Sequence, residues 1–483
     1  MSASPLEWSP EEVRRLGYAV VDAIVERQAG LREGPPWDGG SRAEMQPILD
    51  EPCPEGPRPI DEVMARALQD VLPKAGRIDH PRFFAFVPSS PTWPSVMGEW
   101  LASGFNVFQG TWLESAGPSQ IELTVLEWFR DWLGMPKGAS GLFTSGGSAA
   151  NLIAVVAARD WAGFSPESVA YIGEQSHSSV ERALRIAGFF QNQIRRIPGG
   201  ADYRMDPAAV RAAIQADRAV GLKPALLAAN GGATNTGAVD PLAALADLAE
   251  EENVWFHVDA AYGGFAVLTE TGQEQLAGIE RARSVTLDPH KWLFQSYEVG
   301  CLMVRDPDDL TRAFRVMPEY LQDTDLGLEQ VNFADRGLQL TRAFRALKVW
   351  MTIQAHGRAQ IAEAVQGGID RGRHAEARIR EAPELELLSE ATLGIVCFRA
   401  RPPASDMEAL SDLAESERHA LVDAWNNRIQ DAVVSEGVAM MSSTRLEGRF
   451  ALRMCPMNYR STDADIDATL HRIQTLSREL PLK

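Results

Sequence analysis

Between residues 95 and 310, helical patterns alternate with short apolar runs bounded by turn residues, and this rhythm restricts the folds open to the chain. The runs fall at 141–144, 168–172, 225–229, 254–258, 283–287 and 300–304. Strands joined through helices pair in parallel, so the pattern predicts an α/β fold with a mostly parallel sheet covered on both faces. Ligands of such sheets bind beyond the carboxyl ends of the strands. At 483 residues the chain is too long for one core. The expected division is an N-terminal helical and wrapping segment (1–95), a large α/β domain (96–370) and a smaller α+β C-terminal domain (371–483).

Ser9-Pro10-Glu11-Glu12 opens a helix, with Ser as N-cap, Pro in the first turn and Glu three residues on. Val13, Leu16, Val20 and Ile24 then recur on one face as far as about Arg27. Residues 29–60, rich in Gly and Pro, predict an extended segment. Residues 306–370 read as helical with one exposed loop at about 320–336. Beyond lie a helix at 371–382, strands at 394–399 and 449–454, and a helix near 414–436.

The chemistry sits at the strand ends. Ser284-Val-Thr-Leu-Asp288-Pro-His290-Lys291-Trp292 is an apolar run that stops and presents one lysine. In a partly dry site such an amine is expected to have a lowered pKa and to react with carbonyls. Val254-Trp-Phe-His-Val-Asp259 is a second apolar run ending in one carboxylate. A lysine and an aspartate on nearby strand ends are the two charged contacts that pyridoxal phosphate (PLP) requires. Thr144-Ser-Gly-Gly147-Ser148 follows a strand and opens a helix, where backbone N–H groups and hydroxyls cradle a phosphate. His177 lies just past a strand, placed to stack on an aromatic ring. Thr234 lies in a run of small residues after another strand. Each feature alone has a plain structural explanation: a Gly-rich turn, a hydrogen-bonded histidine, a buried carboxylate, a helix-start lysine. Their succession at consecutive strand ends does not.

The formal charge of −19 argues against nucleic acid or an anionic membrane as partner. Cys53, Cys301, Cys397 and Cys455 form no Cys-x-x-Cys pair, so neither a metal site nor a disulfide framework is expected. The N-terminus lacks the regions of a signal peptide, and a cytoplasmic location is expected.

Five segments together resemble the group II PLP-dependent amino-acid decarboxylases, in particular the aromatic-L-amino-acid branch. They are His80-Pro-Arg-Phe-Phe-Ala-Phe86, Gln175-Ser-His177-Ser-Ser-Val-Glu-Arg182-Ala, His257-Val-Asp259-Ala-Ala261-Tyr262, Asp288-Pro-His290-Lys291-Trp292 and Arg342-Ala-Phe-Arg345-Ala-Leu-Lys348-Val-Trp350. The resemblance implies the type I aminotransferase fold, a homodimer with active sites at its interface, and decarboxylation on PLP. Lys291 would bind the cofactor aldehyde covalently, Asp259 would hold the ring nitrogen protonated, and His177 would stack on the ring. Thr234 and Ala261 would contact the ring region, and Gly147, Ser148 and His290 the phosphate. The family has Asn where Asp288 stands, also beside the phosphate.

The family's catalytic loop tyrosine corresponds, by ungapped counting from Arg342, to Phe333, which has no proton to donate. In plant relatives that exchange accompanies oxidative formation of aldehyde, ammonia and peroxide. Another donor, His177, water or Tyr320, would preserve amine formation. Phe86, Pro88, Phe108 and Trp112 suit an aromatic substrate wall. Val87 and Gly110 stand where the family has aromatics, which widens the pocket. Gly357 resembles the plant type that prefers indoles. Tryptophan is the favoured substrate, followed by phenylalanine, tyrosine and Dopa. The readings left open are an amine-forming decarboxylase, an oxidative aldehyde synthase, a non-catalytic dimeric scaffold and a transaminase or desulfurase of the same fold.

Overall fold

In the computed structural model of the chain, residues 4, 6–316, 327, 330–408 and 410–482 are described. Tyr320 lies outside them. Helix α1 (Pro10–Ala29) starts where its signals predict, with the Ser9 side chain accepting from the Glu12 N–H. Of its expected apolar face only Leu16 is buried, while Val13 and Val20 stay exposed. The stretch expected to be extended contains α2 (Arg42–Leu49), nucleated by a reciprocal capping box between Ser41 and Glu44. The chain then crosses the C-terminal region, where Phe84 donates to the Met440 carbonyl and accepts from the Cys455 N–H. Two further helices follow, α3 (Trp93–Gly104) and α4 (Trp112–Leu133).

The central sheet contains β1 (Ser140–Thr144), β2 (Ser168–Gly173), β3 (Ile194–Ile197), β4 (Lys223–Asn230), β5 (Trp255–Asp259), β6 (Ser284–Leu287) and β7 (Gly300–Val304). Their order is β1-β7-β6-β5-β4-β2-β3. The pairs from β3 through β6 are parallel, and β7 runs antiparallel to both β6 and β1. Every residue of β2, β5, β6 and β7 is buried, as a sheet covered on both faces requires. Among the helices packed against the sheet, α5 (Gly147–Trp161) and α6 (Ser178–Ile186) begin at the carboxyl ends of β1 and β2. Strand β3 has no counterpart among the predicted runs. It is an Ile-Arg-Arg-Ile edge whose Arg195 turns outward to pair with Asp217.

Helix α7 (Ala346–Glu381) is broken at Gly357, whose φ of 71° and ψ of 161° leave helical space. The boundary expected at 370 falls inside this helix. A second sheet, β8 (Leu385–Thr392), β9 (Ile395–Ala400), β10 (Ser442–Leu446) and β11 (Arg449–Met454), is wholly antiparallel in the order β10-β11-β9-β8. Helices α8 (Glu415–Ser435) and α9 (Asp463–Glu479) share its apolar core, in which Trp425 and Ile473 are fully buried. Among the described residues no helix is long and apolar enough to cross a membrane.

Residues 330–336, expected as part of an exposed loop, instead turn inward. Phe333 is fully buried, with the Arg342 guanidinium 4.9 Å and that of Arg336 5.6 Å from its ring centre. Ala334 donates to the Gly110 carbonyl, and Asn332 accepts from the Trp112 N–H at 2.8 Å. Stacked cations and backbone contacts thus fix this segment on the large domain.

Candidate active site

The carboxyl ends of β1, β2, β4, β5 and β6 converge on a cavity of about 290 Å³. Lys291, Asp259, His177, Thr234, Ala261, Gly147, Ser148, His290 and Asp288, predicted from separate strand ends, all line it. On the β1 side the backbone enters α5 through Gly146, at φ 154°, a conformation that L side chains rarely adopt. At Gly147 a Cβ would lie 3.0 Å from both the Ala261 Cβ and the Asp288 Oδ2. Glycine therefore lets the helix start press against the cavity, with the N–H groups of Gly147 and Ser148 and the Ser148 hydroxyl at hand.

Asp259 ends β5 and is held at both oxygens. Its Oδ1 accepts from the Ala261 N–H at 3.2 Å and its Oδ2 from the Asn151 amide at 2.9 Å. A buried relay extends from that amide. Trp255 Nε1 donates to Ser284 Oγ at 2.8 Å, and Ser284 Oγ lies 2.8 Å from His257 Nδ1. The Asp259 carboxylate takes only donors, so the Asn151 NH2 faces it and Asn151 Oδ1 faces His257 Nε2, which in a neutral imidazole carries the proton and leaves Nδ1 to accept from Ser284 Oγ. Nε2 lies 3.0 Å from Asn151 Oδ1, which also accepts from Thr286 Oγ1 at 2.6 Å. Asn151 Oδ1 thus takes donors from one side while its NH2 serves Asp259 and Ser179 on the other. Burial lowers the His257 pKa to about 4, so the imidazole stays neutral and the relay keeps this direction.

His177 caps α6, its Nδ1 accepting from the Ser179 N–H at 3.2 Å and lying 2.7 Å from Ser179 Oγ. That hydroxyl also accepts from Asn151 Nδ2, at 2.9 Å. One asparagine thus ties His177 to Asp259. Asn151, Ser179 and His257 were not among the expected site residues; the only sequence signal was their place in or beside the quoted strand-end motifs.

Lys291 Nζ lies 3.0 Å from Asp288 Oδ2. The expected lowering of the lysine pKa is overturned. Burial acts in that direction, but the adjacent Asp288 carboxylate, with Asp259 further off, outweighs it and the pKa is raised. Asp288 is itself buried, and its Oδ1 has no hydrogen-bond partner. Burial lowers the pKa of His290, partly offset by Asp288.

The donor set fits PLP. A glycine-lined helix start with hydroxyls suits the phosphate, the tethered Asp259 carboxylate suits a protonated ring nitrogen, and one lysine suits the aldehyde. Asp288 is the one group whose charge opposes a phosphate.

The residues expected to line a substrate wall are not brought to this cavity. Phe86 is 63% exposed, Phe108 and Trp112 are half-buried, and Pro88 is buried elsewhere. Gly357 sits exposed at the break in α7. Phe333 is also absent from the lining. The C-terminal domain reaches the site through buried Arg453, which donates to the carbonyls of Thr234 at 2.6 Å, of Asn235 at 3.0 Å and of Phe86.

Residues 43–401 match the model of the pyridoxal-dependent decarboxylase conserved domain. The chain is 39% identical over 481 residues to the aromatic-L-amino-acid decarboxylase of Bacillus atrophaeus, covering 99% of this chain and 98% of that one. It is 31% identical to the phenylacetaldehyde synthase of Petunia hybrida, over 92% of this chain and 90% of the relative. The crystal structure of Oryza sativa TDC with PLP and tryptamine superposes with a TM-score of 0.91 at 29% identity, covering 99% of this chain and all of that one. The match across most of the chain, together with a site built for the cofactor, places this protein in the pyridoxal-dependent decarboxylase family, as a carboxy-lyase that uses PLP.

Proposed function

We propose that the chain removes the carboxylate of an aromatic L-amino acid, tryptophan above phenylalanine, tyrosine and Dopa, and releases the amine. The observation that carries this reading is the pairing of Lys291 with a doubly tethered Asp259 across one cavity. Bound there, PLP supplies an aldehyde that takes up amino groups and a ring that accepts the electron pair left by departing CO2. Asp259 holds a proton on the ring nitrogen, and the Asn151 relay keeps the carboxylate in place to do so. His177 covers the ring face. Gly147, Ser148 and the start of α5 hold the phosphate. Lys291 anchors the cofactor and yields its place to the substrate amine. The 39% identical relative named for aromatic amino acids supports the substrate class, and tryptamine in the rice structure supports an indole.

A homodimer belongs to the same reading. It is supported by apolar groups that one chain leaves uncovered, Val13, Tyr18 and Val20 on α1 and Phe105 after α3. Phe86, Phe108, Trp112 and Gly357 would then complete a substrate wall across the interface. Oxidative aldehyde formation is the second reading. It is favoured by the missing hydroxyl at Phe333 and by the relative named phenylacetaldehyde synthase. Incubation with L-tryptophan, L-tyrosine, L-phenylalanine and L-Dopa in air, recording CO2, amine, aldehyde and peroxide, separates the two. Amine matching CO2 is expected. Aldehyde with equivalent peroxide would replace the first reading by the second, and no CO2 from any substrate would refute both.

A further inference from the structure

Protonation at the α-carbon requires an acid at the cavity, and position 333 offers none. The chain has seven tyrosines. Those of the described residues are nearly all committed elsewhere. Tyr171 donates to Asp217, Tyr203 to the Leu388 carbonyl, Tyr262 to the Leu393 carbonyl at 2.6 Å, and Tyr459 to the Pro91 carbonyl. Tyr18 lies exposed on α1, away from the strand ends. Tyr297 stands instead against His290 of the cavity lining. Its ring packs edge-on against His290 at 4.9 Å and 64°, and its hydroxyl faces that of Ser89.

The segment that carries Tyr297 is clamped on both sides. Buried Lys348 donates to the Ser296 carbonyl at 3.0 Å and to the Glu298 carbonyl at 3.1 Å. The Ser296 N–H donates to Ser95 Oγ at 2.9 Å. Ser89 Oγ contacts the carbonyls of His290 and Gln295, joining the start and end of the turn that presents Lys291. Tyr297 is thereby fixed against His290, the cavity-lining residue that precedes Lys291, while remaining about half exposed.

We propose that Tyr297 is the acid that protonates the α-carbon once CO2 has left, supplying from the lysine's own chain the phenol that position 333 lacks. This rests on the decarboxylase reading. The C–CO2 bond breaks, its electron pair returns to the α-carbon, and that carbon takes the Tyr297 proton. The phenolate recovers a proton from water at the exposed side of the ring. Burial raises the phenol pKa, partly offset by Lys291, so the group is protonated at neutral pH and able to donate. Without it the electron-rich carbon meets dioxygen. Two electrons then pass to O2, and with water the products are aldehyde, ammonia and hydrogen peroxide.

The test is Tyr297→Phe in the PLP-loaded protein with L-tryptophan, run in air and in D2O. Amine formation should fall about 100-fold, the order supplied by a positioned acid. CO2 release should continue, with aldehyde and peroxide taking a larger share. The deuteron at the α-carbon, of single configuration in the wild type, should be scrambled in the residual amine. Cofactor absorbance and thermal stability, read separately, should match the wild type, which excludes a folding defect. An unchanged amine share with unchanged configuration would overturn the assignment and leave the decarboxylase reading standing. Absence of CO2 from the wild type would remove both.

Discussion

Replacing Asp288 by asparagine should change how readily Lys291 takes up the cofactor. The two side chains are 3.0 Å apart and both are largely buried. At an effective dielectric constant near 20, opposite charges at that distance attract by roughly 5 kcal/mol. Burial of the lysine opposes this, and the pair wins, since the lysine pKa lies above its ordinary value. The sign follows directly. Capture of an aldehyde needs the neutral amine, and even an unshifted lysine is neutral in only about one molecule in 250 at pH 8. With Asp288 present the neutral fraction is smaller still. In Asp288→Asn burial acts against a weaker field, from Asp259 and Tyr297, and the midpoint should fall below that of the wild type. PLP capture at pH 8 should then run at least tenfold faster. Rapid mixing of cofactor-free protein with PLP, followed by absorbance from pH 6 to 11, gives the midpoint. Pyridoxamine phosphate, which has no aldehyde, reports separately how the lost charge affects phosphate binding. A variant with the same midpoint as the wild type would refute the claim that Asp288 keeps Lys291 charged.

Lys291→Ala should retain no cofactor mass after borohydride reduction and denaturation, and its turnover should be lost; near-normal activity would displace Lys291 from its role. Asn151→Leu removes the amide that joins Asp259, His257, Thr286 and Ser179, leaving buried groups unpaired at about 1–3 kcal/mol each. Equilibrium dialysis should show PLP binding weakened at least tenfold, with a lower Tm. Phe333→Tyr places a hydroxyl where the ring is fully buried, which costs about 1–3 kcal/mol if the hydroxyl finds no partner. Calorimetry should show a lower Tm, and an unchanged value would mean that the side chain does not reside in that core.

Lys291, Asp259 and His177 were legible because an apolar strand that ends in a single polar side chain announces its own end, and strand ends in this architecture meet at one place. The ionisation of Lys291 was not legible. It depends on a turn that brings Asp288 back onto the lysine three residues later, a matter of backbone geometry. Asn151 escaped notice for a different reason. Its partners Ser179, Asp259, His257 and Thr286 come from other segments, and only the assembled sheet makes them neighbours. Strand β3 was missed because its arginines break the apolar pattern at an exposed edge. The inward turn at Phe333 depends on the guanidinium groups of Arg342 and Arg336 stacking on its ring, contacts that only the folded chain brings about. The aromatic wall stayed unassembled because Phe86, Phe108 and Trp112 do not meet the cavity of their own chain.

Arg453 gives the division of the chain a thermodynamic meaning. Its guanidinium reaches from the C-terminal sheet to the backbone beside Thr234 and at Phe86, so the C-terminal sheet holds part of the cofactor pocket in place. Whatever binds the finished pocket must also favour attachment. Cofactor at a hundred times its dissociation constant adds about 2.7 kcal/mol to the bound form. Vitamin supply would then bear on the stability of this protein as well as on its chemistry.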